Sequence, residues 1–276
     1  MDDGQTSDYV LYYHQYSVCS LMVLYTLALK GDPKTPRNEI NVQTKVVDIF
    51  HQEQLDEHFL CNINDHGQVR HTFPGDEVLA KDTTQVPVLA HDSKLDRPIA
   101  DSLEITYWLA EKYPQLIPAE HKDEIRQYLK DLHALNYFSL SFPGRAEVAQ
   151  GFENGVNRRL ADPNISDQYR KALEFKLSVI KRDKTGGLVP AETAKNENHA
   201  RELLATLENC LGQPDQWIYG SQPTALDAHL VVFMARMSDV GRDQLIPDKL
   251  KQYRAWAMQT PEWIKMMDGR KTMIAH

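Results

Sequence analysis

Cysteine is scarce in this chain of 276 residues: only Cys19, Cys61 and Cys210 are present. Odd in number and widely spaced, they suggest neither a disulfide framework nor a zinc cluster, so no metal centre is predicted and a reducing, cytoplasmic setting is expected. An apolar run near the ~20 residues of a bilayer span is also missing. The amino end, Met1-Asp2-Asp3-Gly4-Gln5, is acidic where a secretory leader would be basic, so a soluble, non-secreted protein is expected. Lys/Arg stripes are absent too. With a formal net charge of -8, nucleic acid is a poor partner, because its affinity rests on phosphate neutralisation. No internal repeat or low-complexity tract is visible.

What is present suits two modest domains. Residues 1–8 are small, polar and acidic and are read as a disordered lead. Tyr9 to Tyr13 is a β-rich run, after which Leu21, Leu24, Leu27 and Ala28 recur at helical spacing until Gly31. That is a strand, a turn and a helix. Val42 to Ile49 reads as a second strand and Gln52 to Cys61 as a short helix, and the parallel crossover puts both strands in one sheet. Val86 to Ala90 and Arg97 to Ala100 look like a hairpin, and a helix from Ser102 to Lys112 follows. Residues 9–114 therefore form one α/β unit in the order βαβ then ββα, with a polar inserted loop at 68–84. Residues 115–120 read as a linker. Residues 121–276 read as an all-α helical bundle, with helices expected at Ile125–Leu140, Gln168–Lys181, Ala191–Leu211, Ala225–Met237 and Leu250–Gln259.

Three places carry chemistry. The turn from Tyr13 to Ser20 ends a strand and opens a helix, where free N–H groups and the helix dipole favour an anion such as a thiolate. Ser17 is placed to donate a hydroxyl to it, although a serine there also caps the helix. Cys19 is either an inert thiol or a nucleophile activated by the same terminus. Val86-Pro87 opens a strand with a proline, which fits either a cis bond or an edge position. A cis bond would leave the Val86 backbone open to pair with an extended peptide. Asp101-Ser102 starts the next helix, where N–H groups and the Ser102 hydroxyl suit a carboxylate and Asp101 suits an ammonium; simple capping is the alternative. Tyr16, Tyr137, Phe138 and Phe142 are candidates to wall an apolar site, but aromatic residues on helices are more often core.

Together, the strand–turn–helix with Ser17, the Val86-Pro87 strand and the Asp101-Ser102 pair resemble the soluble glutathione transferase family. Ser17-Val18-Cys19-Ser20, followed by Leu27-Ala28-Leu29-Lys30-Gly31, is similar to the Ser-x-Cys helix start of its zeta-type branch, which includes a glutathione-dependent cis–trans isomerase. Gly220 to Asp227 resembles the family's buried helix start, with Thr224 and Asp227 as a reciprocal cap.

The resemblance implies a thioredoxin-like N-terminal domain with a four-stranded mixed sheet, an all-α C-terminal domain and a homodimer. Glutathione is the implied cosubstrate, and a small electrophile, for example an intermediate of secondary metabolism, its partner. By the same resemblance Ser17 holds the thiolate, Val86 with Pro87 and Gln85 binds the cysteinyl unit, and Asp101 and Ser102 bind the γ-glutamyl end. The insert and the region from 139 to 198 depart from the zeta-type pattern. A non-catalytic, partner-binding module of the same fold is the rival reading.

Overall fold

The computed structural model describes residues 8–64 and 85–274, so the lead before Asp8 and the inserted loop read at 68–84 lie outside the described residues. Tyr9–Tyr13 (β1) is the central strand, with Val42–Val46 (β2) parallel on one side and Val88–Ala90 (β3) antiparallel on the other. The parallel pair is joined through Val18–Leu29 (α1), as a crossover requires. The fourth lane, expected at Arg97–Ala100, is a single bridge in which Leu89 and Ile99 exchange two backbone hydrogen bonds of 2.8 Å. Pro98, beside it, has no N–H with which to lengthen the ladder. Ser102–Lys112 (α2) closes the unit.

β2 stops short of the expected Ile49. Asp48 Oδ1 accepts the N–H groups of Phe50 and His51 at 3.0 and 3.1 Å and turns the chain. Gln52 follows at φ 63°, so the helix expected from Gln52 to Cys61 is broken into a 3-10 turn, Glu53–Leu55, and a π turn, Phe59–Ile63.

Beyond the 115–120 segment the described chain is helical: Lys122–Ala134 (α3), Tyr137–Ser141 (α4), Ala146–Leu160 (α5), Asp167–Val179 (α6), Pro190–Cys210 (α7), Ala225–Asp239 (α8), Asp248–Ala257 (α9) and Pro261–Met267 (α10). The one helix expected from 125 to 140 is two, because Asn136 caps α4, its Oδ1 accepting from Phe138 and Ser139 N–H at 3.1 Å each. α5 and α10 are additions to the expected helices. None of the helices among the described residues is long and apolar enough to cross a membrane.

Two cores result. The larger joins α1, α2 and β1 to α3, α7, α8 and the helices after it. The smaller packs Leu55, Phe59, Leu60, Val86 and Val88 of the first unit against Val156, Tyr169, Ala172 and Leu173 of α5 and α6. Hydrogen bonds reinforce it: Arg159 Nη2 donates to the Gln52 carbonyl at 3.1 Å, and the Tyr169 hydroxyl to the Leu55 carbonyl at 2.5 Å.

α8 is buried from Ala225 to Met237, so each polar side chain along that run requires partners. Asp227 Oδ1 accepts from Ile218 N–H and the Tyr253 hydroxyl, at 3.0 and 2.5 Å, and Oδ2 from the Thr224 N–H and hydroxyl, both at 2.7 Å. His229 Nε2 meets Thr106 Oγ1 of α2 at 2.9 Å, and its Nδ1 meets His133 Nε2 of α3 at 2.8 Å. That chain of contacts crosses between the two halves of the molecule.

Asp227→Ala strands the Ile218 N–H and the Tyr253 hydroxyl in the core. It is expected to lower unfolding free energy by about 3 kcal/mol in urea titration, with Asp227→Asn costing less. His229 yields a second expectation. Burial pushes its pKa from 6.5 down to about 3, so the unfolded chain takes up a proton that the folded chain refuses. Stability from this group is complete above the unfolded value and is lost as pH falls below it. Between about pH 7.5 and about pH 5 the wild-type melting temperature should therefore drop more steeply than that of His229→Gln.

Candidate active site

The site grows from the β1–α1 turn. Ser17 N–H donates to the His14 carbonyl at 3.0 Å, closing the turn. His14 is buried, its pKa pushed down by desolvation against the opposing pull of Asp48. Its Nδ1 accepts the Tyr16 N–H at 3.2 Å, and its ring lies edge-on to Phe50 at 4.9 Å. Both contacts fix the loop ahead of Ser17. Ser17 is the N-cap of α1: its Oγ accepts the Ser20 N–H at 3.3 Å and directs its own proton to the Val86 carbonyl at 3.4 Å, 69 positions away. Capping and convergence are thus properties of the same hydroxyl. Among the described residues the Val18 N–H has no acceptor, which leaves an amide for an anion at this helix start.

The Val86-Pro87 peptide is cis. Asn64 Nδ2 donates to the Gln85 carbonyl at 3.2 Å and holds the entry to this strand. Val86 is buried, and its N–H has no acceptor among the described residues. A buried N–H in that state calls for a ligand carbonyl or water. At the α2 start, Asp101 Oδ1 takes both the Leu103 and Glu104 N–H groups, at 2.7 and 3.0 Å. Oδ2 has no partner among the described residues, so the capping carboxylate keeps an oxygen for a cation. Ser102 is buried, and its carbonyl accepts the Thr106 hydroxyl at 2.8 Å.

All seven residues singled out from the sequence, Ser17, Cys19, Gln85, Val86, Pro87, Asp101 and Ser102, line one cavity of about 830 Å³. That volume suits a tripeptide-sized ligand with a second small molecule. The far wall comes from α3 to α6, from α8 and from residues 273–274. Tyr16, Tyr137, Phe138 and Phe142, the weaker candidates, line it as well. The Tyr137 hydroxyl donates to the Leu132 carbonyl at 2.8 Å, and burial lifts its pKa well above the usual phenol value. It is no acid at neutral pH.

Among the wall residues that were not foreseen are Gln54 and Arg236. Gln54 is buried at the cavity with an Oε1 that lacks a hydrogen-bond partner. Arg236 of α8 is 3% exposed; its Nη2 donates to the Tyr16 carbonyl at 2.6 Å and to the Thr272 carbonyl, its Nε to Thr272 Oγ1 at 3.2 Å, and its Nη1 to Ser141 Oγ at 3.3 Å. Burial lowers its pKa to about 10, while Asp239 and then Cys19 pull it up, and it stays charged at neutral pH. A signal for it existed: an arginine inside the apolar run Leu230 to Met237 is a charge that the core must answer.

No family profile and no curated protein sequence matches this chain, whereas many solved structures share its architecture. The β-etherase of Sphingobium sp. strain SYK-6 superposes with a TM-score of 0.62 at 18% identity, over 95% of this chain and 99% of that one. A glutathione transferase homologue from Sulfitobacter, solved with bound glutathione, gives 0.58 at 15% identity over 95% and 97%. A bacterial zeta-class maleylpyruvate isomerase gives 0.53 at 18% identity over 93% and 95%. Over about 95% of its length, this chain has the glutathione transferase fold.

Proposed function

We propose that the chain is a glutathione-dependent enzyme that presents the thiolate of glutathione to a small electrophile held between the two domains. One observation carries this reading: Ser17, Val86-Pro87 and Asp101-Ser102, distant in sequence, converge on one cavity wall, and each offers a group that a peptide thiol needs. Ser17 and the α1 terminus stabilise the thiolate, at roughly 1.4 kcal/mol for each pKa unit by which they lower the thiol. The open Val86 N–H pairs with the cysteinyl unit, and Gln85 and Pro87 flank it. Asp101 holds the γ-glutamyl ammonium, while Ser102 and the α2 start hold its carboxylate. Cys19 lies beside the thiolate position as a second sulfur.

Glutathione is bound in the Sulfitobacter homologue of the same fold, and the zeta-class neighbour is a maleylpyruvate isomerase. Both outcomes of thiolate addition belong to the proposal: the adduct is retained, which is conjugation, or glutathione leaves again after bond rotation, which is cis–trans isomerisation. An olefin incubated with substoichiometric glutathione separates them. Isomer without thiol loss marks an isomerase, and stoichiometric loss of thiol marks a transferase. A secondary-metabolite intermediate as the natural electrophile, a homodimer and a cytoplasmic location complete the reading, and sedimentation of the purified protein tests the dimer.

One observation favours a second reading, a non-catalytic module that binds partner proteins. The Ser17 hydroxyl is satisfied on both sides by Ser20 and Val86, so the turn is complete without a ligand. Retention on immobilised glutathione decides between the two, since a protein that neither binds glutathione nor consumes it has no thiolate site.

For the enzyme, Ser17→Ala should lower kcat/KM by about 100-fold, the usual cost of one donor to a developing or stabilised anion. Asp101→Asn preserves the helix cap but removes the charge. It should raise KM for glutathione by about tenfold or more with little change in kcat, read from initial rates at saturating electrophile.

A further inference from the structure

We propose that His14 is a positioning residue of the thiol site: as a neutral imidazole it holds the β1–α1 turn in place, and a proton on it releases the turn and weakens glutathione binding. The inference rests on the glutathione reading and adds a regulator, pH, to the same site.

His14, Ser17 and Ser20 close a ring of hydrogen bonds around the turn. The His14 N–H donates to Ser20 Oγ at 3.3 Å, the Ser20 N–H to Ser17 Oγ at 3.3 Å, and the Ser17 N–H to the His14 carbonyl at 3.0 Å. The peptide units on either side of Tyr16 lie outside that ring and are held separately. Arg236 takes one, through the Tyr16 carbonyl at 2.6 Å, and the His14 side chain takes the other, its Nδ1 accepting the Tyr16 N–H at 3.2 Å. A ring nitrogen that accepts carries no proton, so the proton of the neutral imidazole sits on Nε2. Ser17 in turn donates to the Val86 carbonyl. A shift of the turn therefore moves both Ser17 and its hold on the strand that bears Val86, two parts of the proposed glutathione subsite.

The bond to Tyr16 requires the neutral ring. An imidazolium carries N–H on both nitrogens, so an added proton on Nδ1 would face the Tyr16 N–H, donor against donor. His14 is 3% exposed, and Phe50 and Tyr16 cover its ring at 4.9 and 5.7 Å. The Gln15–Tyr16 peptide then turns away, while the Tyr16 carbonyl stays anchored on Arg236.

The charged and titratable groups around His14 come from several elements. After β2, the Asp48 carboxylate attracts a proton to it; Glu53 accepts the Asp48 N–H at 2.7 Å. The exposed His51 is bonded to Asp48 Oδ2 at 2.6 Å, which raises its pKa, and once protonated it opposes a second positive charge nearby. α1 contributes the neutral Ser20 hydroxyl and, next to it, the Cys19 thiol; the turn itself contributes the Tyr13 and Tyr16 phenols. Arg236 of α8 and Arg270 of the C-terminal segment, which donates to Gln15 Oε1 at 2.7 Å, set positive charge against the turn. Desolvation outweighs the pull of Asp48 and pushes the His14 pKa below 6.5. The hold on Tyr16 is complete above that range and is lost as pH falls through the folded value.

The probe is S-methylglutathione, which has no thiol to ionise. Its dissociation constant is measured by calorimetry between about pH 7.5 and about pH 4.5 in wild type, His14→Ala and His14→Asn. The wild-type constant should rise about tenfold for each pH unit below the His14 pKa. His14→Ala has no acceptor and should bind about tenfold more weakly than wild type at about pH 7.5. An asparagine Oδ1 accepts an N–H further along the chain and does not titrate, so His14→Asn should fall between the two and lack the rise. The same slope in wild type and His14→Asn overturns the proposal, as does a wild-type constant independent of pH. If the variants do not fold, NMR of the wild-type imidazole decides: by reciprocity S-methylglutathione should lower the His14 pKa, and an unchanged titration overturns the proposal. Binding with a pH profile shared by His14→Asn leaves the glutathione reading standing. Failure of the wild type to bind at any pH overturns both.

Discussion

Burying α8 along its whole working length is the constraint on which the molecule depends. A helix sunk in the centre of a two-domain protein has no solvent to satisfy its polar groups, so Asp227, His229 and Arg236 must each find partners on other elements. Asp227 closes the helix start with Thr224 and reaches Ile218 and Tyr253; His229 reaches α2 and α3; Arg236 reaches the β1–α1 turn, α4 and the C-terminal segment. Read in order along the helix, these contacts run from the folding of the second domain, through its attachment to the first, to the wall of the cavity.

The cavity exists because the two cores meet in different ways. On one side α1 and α2 pack into the larger core, which fixes the helix starts at Ser17 and Asp101. On the other side α5 and α6 press against Val86, Val88 and the broken segment from Glu53 to Ile63, forming the smaller core. The strand that carries Val86 lies between them. Its side chain belongs to the second core while its backbone faces Ser17. A single residue thus belongs both to the packing of the helical domain and to the proposed thiol site, and α5 and α6 also hold the neighbouring segment through the carbonyls of Gln52 and Leu55.

Much of this was legible in the sequence, for physical reasons. Helix starts and strand turns are set by local chemistry, so Ser17, Val86-Pro87 and Asp101-Ser102 announce themselves within a few residues, and a cap such as Thr224 with Asp227 does the same. Irregular connections were less legible. The helix expected from Gln52 to Cys61 has the right apolar residues, yet Gln52 takes a left-handed conformation and the segment is shaped by α5 and α6, which lie about a hundred positions away. Helix α5 escaped because its polar residues outnumber its apolar stripe, and Arg236 because its partners are 95 and 220 positions distant. Tertiary contact, not local propensity, decides such cases.

Identity of 15% and 18% with the neighbours described above, over nearly their full lengths, shows how little sequence this fold demands. In this chain the site rests on a strand that turns sharply into a helix, an extended strand beside that turn, and a capped buried helix behind both, while the opposite wall comes from other helices. Here that wall combines the aromatic side chains of α4 and α5 with basic residues; the Lys184 Nζ, for example, lies 4.3 Å from the centre of the Phe138 ring and 4.7 Å from that of Phe152. Ring faces and a buried cation thus stand side by side in this wall, an arrangement that cation–π attraction stabilises. The turn at Ser17 and the opposite wall therefore answer to different constraints: the first is set by the local chemistry of a helix start, the second by packing among α4, α5, α6 and α8.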